Sequence, residues 1–306
     1  MGKRLKILIN ITVLLLIVSF VWYMVSSLNE EEHKIAETHM ETEPFTSPLK
    51  RTSYFNLPEE INCFELNDDN LFISAGQSVY IYDYKGQCLS SFMVKPDLRD
   101  INVMGENIYI LYPTYIEVYS MDGNLINNWA ACSELSDYCS FTITNNNVFV
   151  SDAENKNICK YTIEGNFVKF IKSPQGFIIP SYSFDIENYN DTIYCVNSGR
   201  HLIETYTQDG KFIASFGGPG SKAGFFAGCC NPAYLSFTSE GMLITSEKGN
   251  PRISSFERNG KFKELLLNSK LLGGGSKAYE VKIRNDLFFI SGKNSVSIFR
   301  YNTTEI

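Results

Sequence analysis

The sequence predicts an all-β fold, a six-bladed β-propeller of four-stranded blades, preceded by one N-terminal transmembrane helix. Three observations carry this: a repeat of about 40 residues, glycine turns at matching places within it, and alternating apolar runs on either side of each turn. The turn glycines are Gly86, Gly123, Gly165, Gly210 and Gly260, spaced 37, 42, 45 and 50 residues apart. Each follows an aromatic residue by four positions: Tyr82, Tyr119, Tyr161, Tyr206 and Phe256. A tight hairpin often requires positive φ, which glycine adopts without steric cost.

A strand is expected upstream of each turn, at Leu71–Ile73, Ile108–Ile110, Val148–Val150, Ile193–Val196, Met242–Ile244 and Leu287–Ile290. Another follows the turn, as in Asn166–Phe170 and Lys211–Phe216. Turns rich in Asn and Asp precede these units, for example Asn67-Asp68-Asp69-Asn70 and Asn145-Asn146-Asn147. The sixth unit runs from Tyr279 to Tyr301, and the chain ends at Ile306 before a fourth strand. The extended segment Thr52–Leu57 is expected to supply that strand by pairing with Val296–Tyr301. This closes the ring and covers an edge that would otherwise promote aggregation.

Ahead of the repeats, Ile7–Val25 runs 19 residues without a charge. As a helix it would extend roughly 28 Å, close to the hydrocarbon thickness of a bilayer. Lys3, Arg4 and Lys6 precede it, and Trp22 and Tyr23 stand at its far end. Basic residues stay cytoplasmic and aromatic rings favour the interface, so the rest of the chain is expected to be exported. A cleaved signal peptide is the competing reading. The expected organisation is a basic stub and anchor over 1–27, a flexible acidic linker over 28–50, and the propeller over 51–306. His33 and His39 fall in the linker and read as solvated residues.

The 306-residue chain has 27 basic and 34 acidic residues and a formal charge of −7. No phosphate-gripping basic patch is expected, so nucleic acid is excluded as a partner. The three histidines, His33, His39 and His201, are too few for a His-rich metal site. No metal or cofactor is expected. Oxygen donors at Asp152, Asn155 and Asn197 read first as turn formers, and His201 as an exposed loop residue.

One unit has a further resemblance. Phe216-Gly217-Gly218-Pro219-Gly220, Phe225, Pro232, Glu247-Lys248-Gly249-Asn250-Pro251-Arg252-Ile253 and Phe256 together resemble one NHL repeat. Asp152, Asn155, Ile158 and Tyr161 match the pattern more loosely. The pairing of Cys-Cys-Asn-Pro with Glu-Lys-Gly-x-Pro-Arg resembles a membrane-anchored bacterial subgroup of NHL-repeat proteins. The resemblance implies a six-bladed propeller over roughly 61–301. NHL propellers include binding scaffolds, lyases and sensor ectodomains, so no single activity follows.

The loop Gly228-Cys229-Cys230-Asn231-Pro232 and the loop Glu247–Arg252 are expected to open on the same propeller face. Cys229, Cys230, Asn231, Glu247, Lys248 and Arg252 are therefore the candidate ligand-binding residues. Lys248 and Arg252 suit an anionic group; the alternative is that Glu247 pairs with Arg252 and holds the loop. Cys229 and Cys230 read as a strained vicinal disulfide, as structural thiols, or as metal ligands. Cys132 and Cys139 flank one inter-blade connection and are a candidate disulfide, which export permits. Cys63, Cys88, Cys159 and Cys195 read as small buried hydrophobes. The expected function is a binding or scaffold ectodomain with a protein or small-molecule ligand at one face. The alternatives are a redox-active or metal-dependent enzyme using Cys229 and Cys230, or a propeller lyase or lactonase.

Overall fold

A computed structural model describes residues 13–22 and 45–302. Residues 13–22 are helical. The remainder of the expected anchor and the linker through residue 44 lie outside the described residues. Among the described residues, no helix is long and apolar enough to cross a membrane.

The second compact unit, Ser47–Ile306, contains six four-stranded antiparallel sheets among its described residues. From the channel outwards, blade 1 is Ile61–Leu66, Asn70–Ala75, Ser78–Asp83 and Cys88–Met93. Blade 2 is Asp100–Met104, Asn107–Tyr112, Tyr115–Ser120 and Leu125–Ala130. Blade 3 is Tyr138–Ile143, Asn147–Asp152, Asn157–Thr162 and Phe167–Ile171. Blade 4 is Ile186–Tyr189, Thr192–Asn197, Leu202–Thr207 and Phe212–Gly217. Blade 5 is Tyr234–Phe237, Leu243–Glu247, Arg252–Phe256 and Phe262–Leu267. Blade 6 takes Val281–Arg284, Leu287–Ser291 and Ser295–Tyr301 from the end of the chain and Leu49–Asn56 from its beginning. The closing strand starts at Leu49, earlier than residue 51, and pairs Leu49 with Tyr301 and Asn56 with Ser295. Neighbouring inner strands touch all the way round, closing the ring.

Burial follows the position in the blade. The second strands are almost wholly buried, as in Asn70–Ala75 and Asn147–Asp152, because both their faces meet another blade. The outer strands are mainly exposed, as in Leu125–Ala130. Each pair of adjacent blades encloses its own apolar cluster. Blades 2 and 3 meet around Leu111, Trp129, Val150 and Tyr161, and blades 6 and 1 around Phe64, Ile73, Phe289 and Val296. The repeated turn glycines also serve this packing. A Cβ on Gly165 would lie 2.4 Å from the Trp129 ring, and one on Gly260 2.2 Å from the Phe216 ring. Each turn thus presses its bare backbone onto the outer strand of the preceding blade. These glycines are required by the blade interface as well as by positive φ.

The cysteines depart from expectation in two places. Cys63, Cys159 and Cys195 are buried, but Cys88 is exposed at the start of an outer strand. Cys132 does not meet Cys139: its Sγ lies 2.6 Å from the Sγ of Cys159. Cys139 packs into the cluster between blades 3 and 4, whereas Cys132 and Cys159 belong to the one between blades 2 and 3. Cys139 and its neighbour Tyr138 point to opposite sides of their strand, and Tyr138 is the one facing Cys132.

Candidate functional site

Most blades carry a charged or hydroxyl residue on the inner strand or immediately before it, where an all-apolar lining would simply fill the channel. Glu65 comes from blade 1, Asp100 from blade 2, Ser140 from blade 3, Asp185 and Glu187 from blade 4, and Glu280 and Lys282 from blade 6. Lys282 Nζ donates to Glu65 Oε2 at 2.9 Å and to Glu187 Oε1 at 3.0 Å. Glu280 Oε1 lies 4.0 Å away. This ion cluster ties blade 6 to blades 1 and 4. It also divides the channel, because Glu187 and Lys282 line cavities on both sides of it. The cavity at the mouth has a volume of about 310 Å³ and the one beyond about 210 Å³. The larger is in the range of small-molecule sites.

Carboxylates outnumber the cation around this cluster, and burial sets their protonation. Desolvation pushes Asp100 up to about 7, against the attraction of Lys282. It pushes Glu187 up to about 8 and raises Asp185 and Glu280 as well, Lys282 again opposing. Lys282 itself loses to burial but gains more from Glu187, Glu65, Glu280 and Asp100, so it stays charged. Ser140 Oγ lies 2.9 Å from Asp100 Oδ2 and 2.8 Å from Asp185 Oδ1. A hydroxyl has one proton to donate, so both contacts are hydrogen bonds only when one carboxyl is protonated. An arrangement with one of the two carboxyls protonated satisfies both contacts, in keeping with the upward push that burial gives both groups.

The rim of the mouth is basic. Arg99, Lys248 and Lys277 line it with Tyr182. Arg99 lies over the Tyr182 ring at 5.6 Å and 3.4 Å from Asp137 Oδ1, and Lys277 pairs with Glu60 at 2.6 Å. Lys248 Nζ reaches Ser181 Oγ at 2.5 Å and Ser183 Oγ at 2.9 Å.

The six residues proposed from sequence divide between two settings. Lys248 lines the cavity, and Cys230 joins it through Ser181, whose hydroxyl lies 3.0 Å from Cys230 Sγ. Cys229 and Cys230 are free thiols with their sulfurs 3.0 Å apart. Burial raises the Cys230 thiol, but Cys229, Ser181 and Lys248 together outweigh it and bring it below its ordinary value. Glu247, Arg252 and Asn231 instead brace the loops. Arg252 Nε donates to Glu247 Oε1 at 2.5 Å, and its Nη2 to Phe225 O at 2.5 Å. Glu247 Oε2 accepts from Ala227 N at 3.1 Å. The Asn231 side chain accepts from Lys248 N and donates to Ala227 O and Lys248 O.

His201 is absent from the residues lining the mouth; its carbonyl accepts from Gly218 N at 2.8 Å. Asp152 accepts from the backbone N–H of Asn155 and Asp137, and Asn197 is bonded to Glu204 and Ile178, so these oxygens hold turns. Among the described residues, Cys132, Asp152 and Cys159 are the group close enough to share an ion.

The sequence reading missed the channel cluster. Its members come one or two per blade, tens of residues apart, so no local motif contains them. The available signal was a charged residue in the first strand of several repeats, where alternation alone called for apolar ones.

No family model matches the sequence, and no curated protein matches it. Solved structures do. Virginiamycin B lyase from Staphylococcus aureus superposes with a TM-score of 0.59 at 12% identity, over 82% of this chain and 99% of that one. A Bacteroides thetaiotaomicron protein of unknown function gives 0.59 at 8%, over 82% of this chain and 72% of that one. The Pan2 WD40 domain of Neurospora crassa gives 0.57 at 8%, over 85% and 98%. At such identities the likeness extends to the fold alone. The chain is a β-propeller, and its six blades carry a polar cavity at one mouth of the channel.

Proposed function

We propose that the protein is a ligand-binding propeller whose channel mouth accepts a small molecule with an ammonium-type cation and a carboxylate. The observation that carries this reading is the surplus of buried carboxylates around Lys282, two of which, Asp100 and Asp185, both lie within hydrogen-bond distance of Ser140. An entering cation would replace the proton that burial favours on these carboxyls and gain an ionised pair in a poorly solvated site. Lys248, held by hydroxyls rather than a carboxylate, is placed to meet the anionic end.

Because the site must lose protons to bind the cation, affinity should rise between pH 6 and pH 8. Free amino acids and simple diamines should raise the melting temperature of the protein more than their N-acetyl counterparts. Calorimetry in two buffers of different ionisation enthalpy should show proton release on binding. Equal responses to amines and N-acetyl forms, or undiminished binding by Asp185→Asn, would sink the reading.

A second reading is supported by the titration of Asp100 near 7, which suits a general acid–base. In that case a bound amine would be consumed on prolonged incubation, which product analysis by mass spectrometry distinguishes from binding.

The NHL-type relationship and the placement belong to the same proposal. The residues that resemble an NHL repeat run from the end of the outer strand of blade 4, at Phe216, to the third strand of blade 5, at Phe256. The uncharged run Ile7–Val25 behind Lys3, Arg4 and Lys6 supports an anchor with the propeller outside the cytoplasmic membrane. Alkaline phosphatase fused after Ile306 should be active in cells, whereas a cytoplasmic reporter at the same place should be active only if this orientation is wrong.

A further inference from the structure

Away from the channel, one pair of cysteines spans two blades. Cys132 lies in the connection leaving the outer strand of blade 2, and Cys159 in the third strand of blade 3. Their sulfurs are 2.6 Å apart. Two thiolates on one zinc ion, each at about 2.3 Å in a tetrahedral site, would stand roughly 3.8 Å apart. The two oxygens of Asp152, the third member of the cluster, are already engaged by Asn155 and Asp137 N–H groups. The arrangement therefore fits a sulfur–sulfur bond better than an ion.

The two sulfurs differ in surroundings. Cys159 is fully buried and Cys132 is partly exposed. The Tyr138 hydroxyl accepts from Cys132 N at 2.9 Å and donates towards Cys132 Sγ at 3.4 Å. Tyr161 OH, 2.5 Å from Tyr138 OH, can donate into it and free the Tyr138 proton for sulfur. Ser136 Oγ lies 3.7 Å from the same sulfur. Cys159 Sγ instead has the Asp152 carboxylate at 4.0 Å. Hydrogen bonding from Cys159 holds the Cys132 thiol below its ordinary pKa, with Tyr138 and Ser136 adding to it. The bond to Cys132 and burial raise Cys159.

We propose that Cys132 and Cys159 form a redox pair, with Cys132 the attacking sulfur and Cys159 the resolving one, whose disulfide locks blade 2 to blade 3. The co-reactant is a small-molecule disulfide such as oxidised glutathione. The Cys132 thiolate attacks one of its sulfurs, forming a mixed disulfide and expelling one thiolate. Cys159 then attacks the Cys132 sulfur, its proton passing to the second departing thiolate. The protein loses two protons and two electrons, and the small disulfide takes them up to become two thiols. Reduction reverses these steps from the partly exposed Cys132 side.

The test uses the full chain in detergent, equilibrated in dithiothreitol or in oxidised glutathione, then alkylated and digested without reduction. Oxidation should yield a cross-linked peptide joining Cys132 to Cys159, two hydrogens lighter than the reduced pair. It should also raise the melting temperature by roughly 5–10 °C, a rise lost in Cys159→Ser and retained in Cys139→Ser. With its resolving sulfur gone, Cys159→Ser should accumulate a glutathione adduct on Cys132, while Cys132→Ser should leave Cys159 unmodified. Absence of the linked peptide, a Cys132–Cys139 link in its place, or equal adducts on both single variants would overturn the proposal. Stoichiometric zinc retained by the reduced protein and lost from Cys159→Ser would do so as well.

Discussion

Replacing Lys282 with methionine is expected to destabilise the propeller by about 3–5 kcal/mol at pH 8. The ammonium is the cation to which Glu65 and Glu187 both bond, and it is nearly enclosed. Methionine fills much of the same space but leaves these carboxylates facing one another across the channel. The loss should shrink at low pH, and the sign follows from proton counts. Asp100 and Glu187 are raised to about 7 and about 8 in the folded protein. Unfolded, they titrate near 4. Between those limits the folded state binds more protons, so even the native protein loses stability as pH rises through the window. Below about pH 4 both states are protonated and the cost vanishes. Without Lys282 the folded-state values move further up, and the slope steepens. Urea denaturation of both proteins at pH 5.5 and pH 8 would measure this. A difference that is the same at both pH values would show that Lys282 acts by packing alone.

Removing residues 47–56 is expected to cost on the order of 5 kcal/mol or more, and to make the protein prone to associate. The segment supplies the outer strand of blade 6 along its whole length. Leu49 is buried with Phe288 and Phe299, and Phe55 stacks on Tyr82 at 5.0 Å and covers Gly86. Ser47 Oγ adds a hydrogen bond of 2.6 Å to Leu266 O in blade 5. One short strand therefore ties the last blade to both neighbours. A synthetic peptide of residues 47–57 added to the truncated chain should restore much of the melting temperature. A truncated protein that melts with the intact one would remove the closure role.

What the chain discloses about itself differs between fold and site for one reason: the distance in sequence over which each is encoded. The hairpin turns at Gly86, Gly123, Gly165, Gly210 and Gly260 are local, and every strand pair except the closing one in blade 6 forms between neighbours in the chain. Closure by the N-terminal segment was legible too, since the sixth unit lacked a strand and Thr52–Leu57 stood unassigned. The site was legible only in part. Lys248 and Cys230 were identified from their loops and do meet at the mouth, through Ser181. The Glu247–Arg252 pair was readable as a brace or as a ligand contact, and the ion pair and carbonyl bonds describe a brace.

By itself the sequence determined the repeat, the strand order, the closure of the ring and the uncharged run ahead of it, because alternation and turn chemistry act within a few residues. Tertiary structure decided which residues share the channel. Asp100, Ser140, Asp185 and Lys282 come from four different blades, and ring closure brings them within hydrogen-bonding or Coulombic reach. It also decided that Cys132 faces Cys159 rather than Cys139, because alternation along a strand sends adjacent side chains to opposite blade interfaces. It gave the turn glycines their second duty as well, since only stacked blades bring Trp129 against Gly165. Each of these depends on the pitch and stacking of whole sheets, and that geometry exists only once the ring has closed.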